Sequence, residues 1–294
     1  MRNFQPKQRF RSDVSKMLVG VLIIVICFIA GSTDLEVSSA ADIRGISAPD
    51  NVPAKKYLQM SDEERRQYIA RRAREVARTM GFTGEEATPA AVEQIKLSVD
   101  AYASRVNSER KVSCGFGDNL QATFERARNN APFIFAAFNK ENVEPRIGLY
   151  LAMIESAHCP CIQSPTGPLG LYQFSRADAR KFGLNAFAEA STLNPDDRCG
   201  PKAAALAAAK QLKSTAQSYR TSELRLPMAI IAFGERDAFK MQPDQFWTLV
   251  SNGERFLRNP SESRRLPAFF ASAIIGENPE DFGLEIQPLS VYTS

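Results

Sequence analysis

The chain has 294 residues, 44% of them apolar and 24% charged, a composition that supports one sizeable globular domain or two small ones and excludes a disordered chain. Its formal charge of +4 is concentrated at the start, where Arg2, Lys7, Arg9, Arg11 and Lys16 stand against Asp13 alone, and the sequence from Thr33 onward is neutral. A neutral body argues against nucleic acid as a partner, and the single histidine, His158, argues against zinc hydrolase chemistry, which needs clustered imidazoles.

The basic flank is followed by an uncharged run of 14 residues from Met17 to Ala30. A bilayer span needs about 20 apolar residues, so residues 1–32 read as a signal peptide, with small-residue cleavage points at Ala30-Gly31-Ser32 and Ser39-Ala40-Ala41. The alternative is an uncleaved signal anchor lengthened by its flanks. Either way the rest of the chain is exported to the periplasm or cell envelope, and in the second case it stays attached to the inner membrane. Residues 33–60, with Pro49 and Pro53, read as a linker. Export also gives meaning to Cys114, Cys159, Cys161 and Cys199, since four thiols in an oxidising compartment suggest two disulfides. Cys159 and Cys161 are too close in sequence to pair comfortably with each other, so each takes either Cys114 or Cys199, with a structural zinc site or free thiols as the alternatives.

Residues 61–112 predict a helical collar. Ser61-Asp62-Glu63-Glu64 is a capping box, after which Tyr68, Ile69, Val76 and Met80 recur at helical spacing. Thr88 before Pro89 opens a second helix through Val92, Ile95, Val99 and Val106. Residues 113–294 form the second region. Leu120, Phe124 and Ala127, then Phe133 to Phe138, keep a helical pattern, and after a break at 139–144 Pro145 opens a helix carrying Ile147, Leu149, Leu151, Met153 and Ile154. Ser164 to Gly170 is a loop, an Ala-rich helix runs from Pro201 to Tyr219, and further helical patterns lie at 223–234, 243–251 and 262–276. A short ribbon at Leu284 to Leu289 is the one β signal, so the fold class is all-α.

The chemistry lies at the end of the Pro145 helix. Glu155 is a lone carboxylate on an apolar segment, where burial and the negative end of the helix dipole both disfavour its charged form. Those are the conditions that prepare a general acid for glycosidic cleavage.

Ile154-Glu155-Ser156 is followed by Ser164-Pro165-Thr166-Gly167-Pro168-Leu169-Gly170-Leu171-Tyr172-Gln173-Phe174, then by Ala179-Arg180-Lys181-Phe182-Gly183-Leu184. Asn194-Pro195-Asp196-Asp197-Arg198 leads into the Ala-rich helix, and Phe270-Ala271-Ser272-Ala273-Ile274-Ile275-Gly276-Glu277-Asn278-Pro279 precedes Phe282-Gly283-Leu284. This ordered series, over about residues 118–290, resembles the lytic transglycosylases of the soluble lytic transglycosylase (SLT) type, with its closest likeness to the subgroup around membrane-bound lytic murein transglycosylase D. The resemblance implies a lysozyme-like helical catalytic domain and a lyase that cuts the β-1,4 bond between N-acetylmuramic acid and N-acetylglucosamine in peptidoglycan glycan strands. It implies Glu155 as the catalytic acid and base, a 1,6-anhydro product, and neither a metal nor an organic cofactor. Ser156, Gly170, Tyr172, Gln173 and Phe233 are the substrate-binding candidates. Gly170 would let a sugar strand approach the backbone, Tyr172 would offer an apolar face to a pyranose, and Gln173 would hydrogen-bond acetamido or hydroxyl groups. Ser156 would cap the helix end and orient Glu155.

Phe233 marks a departure. The family has Ala-Tyr-Asn where this chain reads Ile231-Ala232-Phe233-Gly234, so the hydroxyl expected to hydrogen-bond the catalytic carboxyl is missing. That sets a rival reading beside the enzyme: a weakly active or inactive peptidoglycan-binding scaffold of the cell envelope. Ordinary two-carboxylate hydrolysis would instead need a second acid, for which Asp178, Glu189, Asp196 and Glu235 are available.

Overall fold

A computed structural model describes residues 55–81, 86–109, 114–218, 246–252 and 264–293. The readings of residues 1–54 as targeting segment and linker, of 223–234 as helix, and of Phe233 and Glu235 lie outside them. Eight α-helices are described: α1 (Asp62–Thr79), α2 (Pro89–Ala103), α3 (Leu120–Lys140), α4 (Pro145–Ser156), α5 (Arg176–Lys181), α6 (Pro201–Ser218), α7 (Phe246–Asn252) and α8 (Arg265–Glu277). The described residues contain no strand, only the isolated bridges Gln163 to Leu169 and Leu169 to Phe174. None of their helices is long and apolar enough to cross a membrane.

The helix starts follow local chemistry. At α1 the Ser61 hydroxyl accepts from the Glu64 N–H while Glu64 accepts from the Ser61 N–H, and Asp62, Glu63 and Glu64 sit at the positive end of the helix dipole. At α2 Thr88 accepts from the Ala91 N–H with Pro89 in the first turn. The two helices are bridged by Arg66 to Glu93 at 3.1 Å and Lys96 to Asp62 at 2.7 Å. Their apolar faces, including Ile69, Val76, Ile95 and Val99, turn inward, and both helices pack on α8. α1 and α2 therefore share one apolar core with the described helices that follow.

α3 runs unbroken through Pro132, so the two apolar stretches read from the sequence belong to one helix. α4 lies between α3, α6 and α8, and its residues from Ile147 to Met153 are buried on every side, as an apolar helix requires when it is the centre of a core. Gly148 permits that packing, because a Cβ there would stand 2.3 Å from the Phe138 ring. The Ala-rich face of α6 brings its backbone close to α3.

The ribbon expected at Leu284 to Leu289 does not form. Gly283 takes a left-handed φ of 76°, the Leu284 N–H donates back to the Pro279 carbonyl at 3.0 Å, and the segment ends in a 3-10 turn at Leu289–Val291. Leu284 and Leu289 are buried by this folded-back path, which gives the same alternation of apolar residues that a strand would.

Candidate active site

α4 delivers Glu155 in its last turn and then stops abruptly. Ala157 and His158 both adopt left-handed backbone angles, φ 52° and 59°, a conformation that non-glycine residues take only when their surroundings impose it. The imposing groups come from α3: Arg126 Nε donates to the Ala157 carbonyl at 3.3 Å, and Asn130, one turn further on, donates to the His158 carbonyl at 2.9 Å. Arg126 is itself held by Asp118 at 2.6 Å, whose side chain is 2% exposed.

Two disulfides complete the frame. Cys114 pairs with Cys159 and Cys161 with Cys199, so the short segment after Glu155 is tied on one side to the start of α3 and on the other to the start of α6. The pairing left open by the sequence is thereby resolved.

The glycine-rich loop stands beside the end of α4. Gly170 has φ +89°, and a Cβ there would stand 1.9 Å from the Arg198 carbonyl oxygen, so close packing against that backbone requires the glycine. The buried Arg198 guanidinium pairs with Asp196 at 2.8 Å and donates to the Phe174 carbonyl at 3.3 Å, fixing the far end of the loop. Burial acts to raise the Asp196 carboxyl, but its hydrogen bonds from Arg198 outweigh that and hold it below the usual carboxylate range.

Between these elements lies a groove of about 510 Å³, lined by Glu155, the loop residues Ile162 to Ser164 and Tyr172 to Ser175, Asp178 of α5, Gln211 of α6, Arg265 of α8 and Phe116. The Glu155 side chain is 10% exposed and forms an ion pair with the guanidinium of Arg265. Burial favours the neutral acid and the guanidinium favours the carboxylate, so the groove adds an opposing influence to the two read from sequence. Burial itself lowers Arg265 to about 10, which leaves it cationic at neutral pH.

A second cavity, of about 240 Å³ between α1, α4 and α8, is lined by Arg72, Glu75, Arg146, Tyr150 and Glu277 among others. Its charges are matched within the protein: Arg72 pairs with Glu75 and Asp281, Arg146 with Glu144, and the Tyr150 hydroxyl donates to Glu277.

The candidates from sequence divide accordingly. Glu155, Tyr172 and Gln173 line the groove. Ser156 is fully buried, and its hydroxyl donates to the Leu171 carbonyl at 2.8 Å and the Ala152 carbonyl at 3.0 Å; it ties α4 to the loop and has no surface to offer a sugar. Gly170 likewise meets Arg198 and not an open approach path. Tyr172 is 2% exposed, with its ring 6.4 Å from that of Phe138 and its hydroxyl donating to the Gly148 carbonyl, so it supports the groove wall and presents no stacking face. Gln173, at φ 51°, donates its amide to the Ile162 and Gly170 carbonyls, and that is how it holds the loop. Of the carboxylates considered as second acids, Asp178 lines the groove while accepting from the Ser175 hydroxyl, Asp196 is committed to Arg198, and Glu189 is exposed at the surface.

Phe116 and Arg265, like Ile162, Ser175 and Gln211, line the groove without having been singled out from the sequence. Phe116 is 51% exposed at the rim, with its backbone carbonyl accepting from Arg105 and Cys114 disulfide-bonded two residues before it. Arg265 belongs to a segment read only as helical. An exposed aromatic beside a cysteine was the available signal for the first; the second depends on a tertiary contact with no local signature.

Residues 132–235 match the family described as Transglycosylase SLT domain. A stretch of 125 residues, 40% of the chain, is 31% identical to the protein named Peptidoglycan transglycosylase gp16 of Escherichia phage T7, and it covers 9% of that protein's length. The matched residues 132–235 hold Glu155 and the glycine-rich loop, so the candidate site lies within the stretch that is similar to the transglycosylase SLT domain.

Proposed function

We propose that the chain is an exported peptidoglycan lytic transglycosylase, similar to the membrane-bound lytic murein transglycosylase D subgroup, that cleaves the bond between N-acetylmuramic acid and N-acetylglucosamine and leaves 1,6-anhydro ends. The observation that carries this reading is Glu155, mostly buried in the wall of an open groove within the stretch similar to the SLT domain. In the first step protonated Glu155 donates to the bridging oxygen as the C1–O bond breaks, and the substrate's acetamido oxygen bonds to C1. The Glu155 carboxylate then takes the proton of the 6-hydroxyl as that hydroxyl's oxygen bonds to C1 and the bond from C1 to the acetamido oxygen breaks, which restores the acetamido group and returns Glu155 to the acid form without consuming water. The ordered Ser164 to Phe174 loop and the separate series from Phe270 to Leu284 support the subgroup likeness, and two disulfides together with a wall-acting domain support an extracytoplasmic location.

The ion pair with Arg265 gives specific support to a second reading, a wall-binding scaffold of low turnover, because a guanidinium beside a carboxyl favours the charged form over the proton-donating one. Digestion of purified sacculi separates the readings: anhydro-ended fragments from the wild type and none from Glu155→Gln support the transglycosylase, whereas binding without release from either supports the scaffold.

A further inference from the structure

Arg265 occupies the first turn of α8, an unfavourable place for a cation. The positive end of the helix dipole repels it, the Arg264 before it supplies no side-chain cap, and burial lowers it to about 10. Its guanidinium nevertheless meets Glu155, whose side chain is only 10% exposed. Among the described residues, the other groove-lining groups offer Glu155 no competing cation. The Ile162 to Ser164 strip is uncharged, α5 contributes the carboxylate Asp178, α6 contributes the neutral Gln211, and Phe116 comes from the segment before α3. His158, three residues beyond Glu155, is buried and neutral at ordinary pH.

We infer that Arg265 is a positioning residue that holds Glu155 as a carboxylate in the resting groove and so sets the pH range in which the acid form is available for bond cleavage. The inference rests on the transglycosylase reading for its consequence in turnover, though the ion pair can be read without turnover. Replacing the guanidinium with an apolar chain leaves burial as the dominant influence on Glu155, and a buried carboxyl without a cationic partner retains its proton to higher pH. Lysine keeps a charge at the same position.

The test uses the full chain with its disulfides intact and compares wild type, Arg265→Met and Arg265→Lys for release of muropeptides from sacculi between pH 4.5 and 8. The alkaline limb of kcat/KM should move upward by about one pH unit or more in Arg265→Met, so that the ratio of activity at pH 7 to that at pH 5 rises about tenfold, while Arg265→Lys stays near the wild-type profile. In parallel, 13C NMR of Glu-labelled protein, with the Glu155 signal identified through Glu155→Gln, should show the carboxyl titrating at higher pH in the methionine variant. An unchanged Glu155 titration overturns the inference whether or not the protein turns over. A shifted titration in a wild type that releases nothing upholds the ion-pair role and overturns the transglycosylase reading. Loss of release at every pH in a folded Arg265→Met whose carboxyl titration is unmoved would overturn the inference and place Arg265 in direct contact with substrate.

Discussion

Arg126 donates from its Nε to the carbonyl of Ala157 at 3.3 Å, so that α3 clasps the left-handed turn immediately behind Glu155. The position of the carboxyl thus depends on a helix that contributes no side chain to the chemistry. Arg126→Met should lower stability by about 1.5–3 kcal/mol, because it removes the charged hydrogen bonds from Arg126 to the Ala157 carbonyl and to the nearly buried Asp118. Ala157→Gly should raise it by about 0.5–1 kcal/mol, since glycine takes φ 52° without the Cβ penalty, less its own entropy cost. Denaturant unfolding of the oxidised protein measures both.

His158 makes the same turn sensitive to acid. Burial, with Arg126 adding to it, lowers the ring from the usual 6.5 to about 3, so the folded state keeps it neutral while the unfolded chain protonates it. Its contribution is therefore fully present above about pH 6.5 and is lost as pH falls toward about 3. Between pH 7 and pH 5 this group should remove about 2 kcal/mol of stability. His158→Asn, which tolerates the left-handed backbone, should show a shallower acid slope in unfolding free energy; equal slopes for the two proteins would contradict the assignment.

The two disulfides are expected to matter by limiting the unfolded chain. They span sequence separations of 45 and 38 residues, for which loop entropy gives about 4 kcal/mol each. Replacing both Cys161 and Cys199 by serine should cost an amount of that order, and peptide mapping of the non-reduced wild type should recover Cys114 with Cys159 and Cys161 with Cys199.

Much of this frame was legible in the chain itself. The Ser61 box and the Thr88-Pro89 pair are local hydrogen-bonding and φ preferences, and they mark the starts of α1 and α2 as read. Pro145 and the apolar run after it mark α4 in the same way. Side-chain roles were less legible where polar residues near Glu155 satisfy backbone groups: Ser156 meets Leu171, and Gln173 meets Ile162 and Gly170, through contacts that exist only once the loop has folded against α4. The Leu284 to Leu289 alternation misled because a folded-back turn buries alternate residues as effectively as a ribbon does.

Among the described residues Phe116 is the exposed aromatic of the groove rim, and its expected role is to stack on the apolar face of a pyranose. Phe116→Ala should weaken sacculus binding about five- to tenfold while changing stability by less than about 0.5 kcal/mol, and Phe116→Trp should preserve binding. Pull-down of the inactive Glu155→Gln protein carrying each substitution reads binding apart from cleavage; equal binding by alanine and tryptophan forms would remove Phe116 from the substrate path.

The central claim is that Glu155 cleaves peptidoglycan glycan strands without consuming water. Purified sacculi incubated with wild type and with Glu155→Gln, followed by mass analysis of the released fragments, test it most directly. The account predicts fragments ending in 1,6-anhydro-N-acetylmuramic acid from the wild type and none from the variant, with both proteins folded and bound to the wall. Reducing ends from the wild type, or equal release by Glu155→Gln, would contradict it.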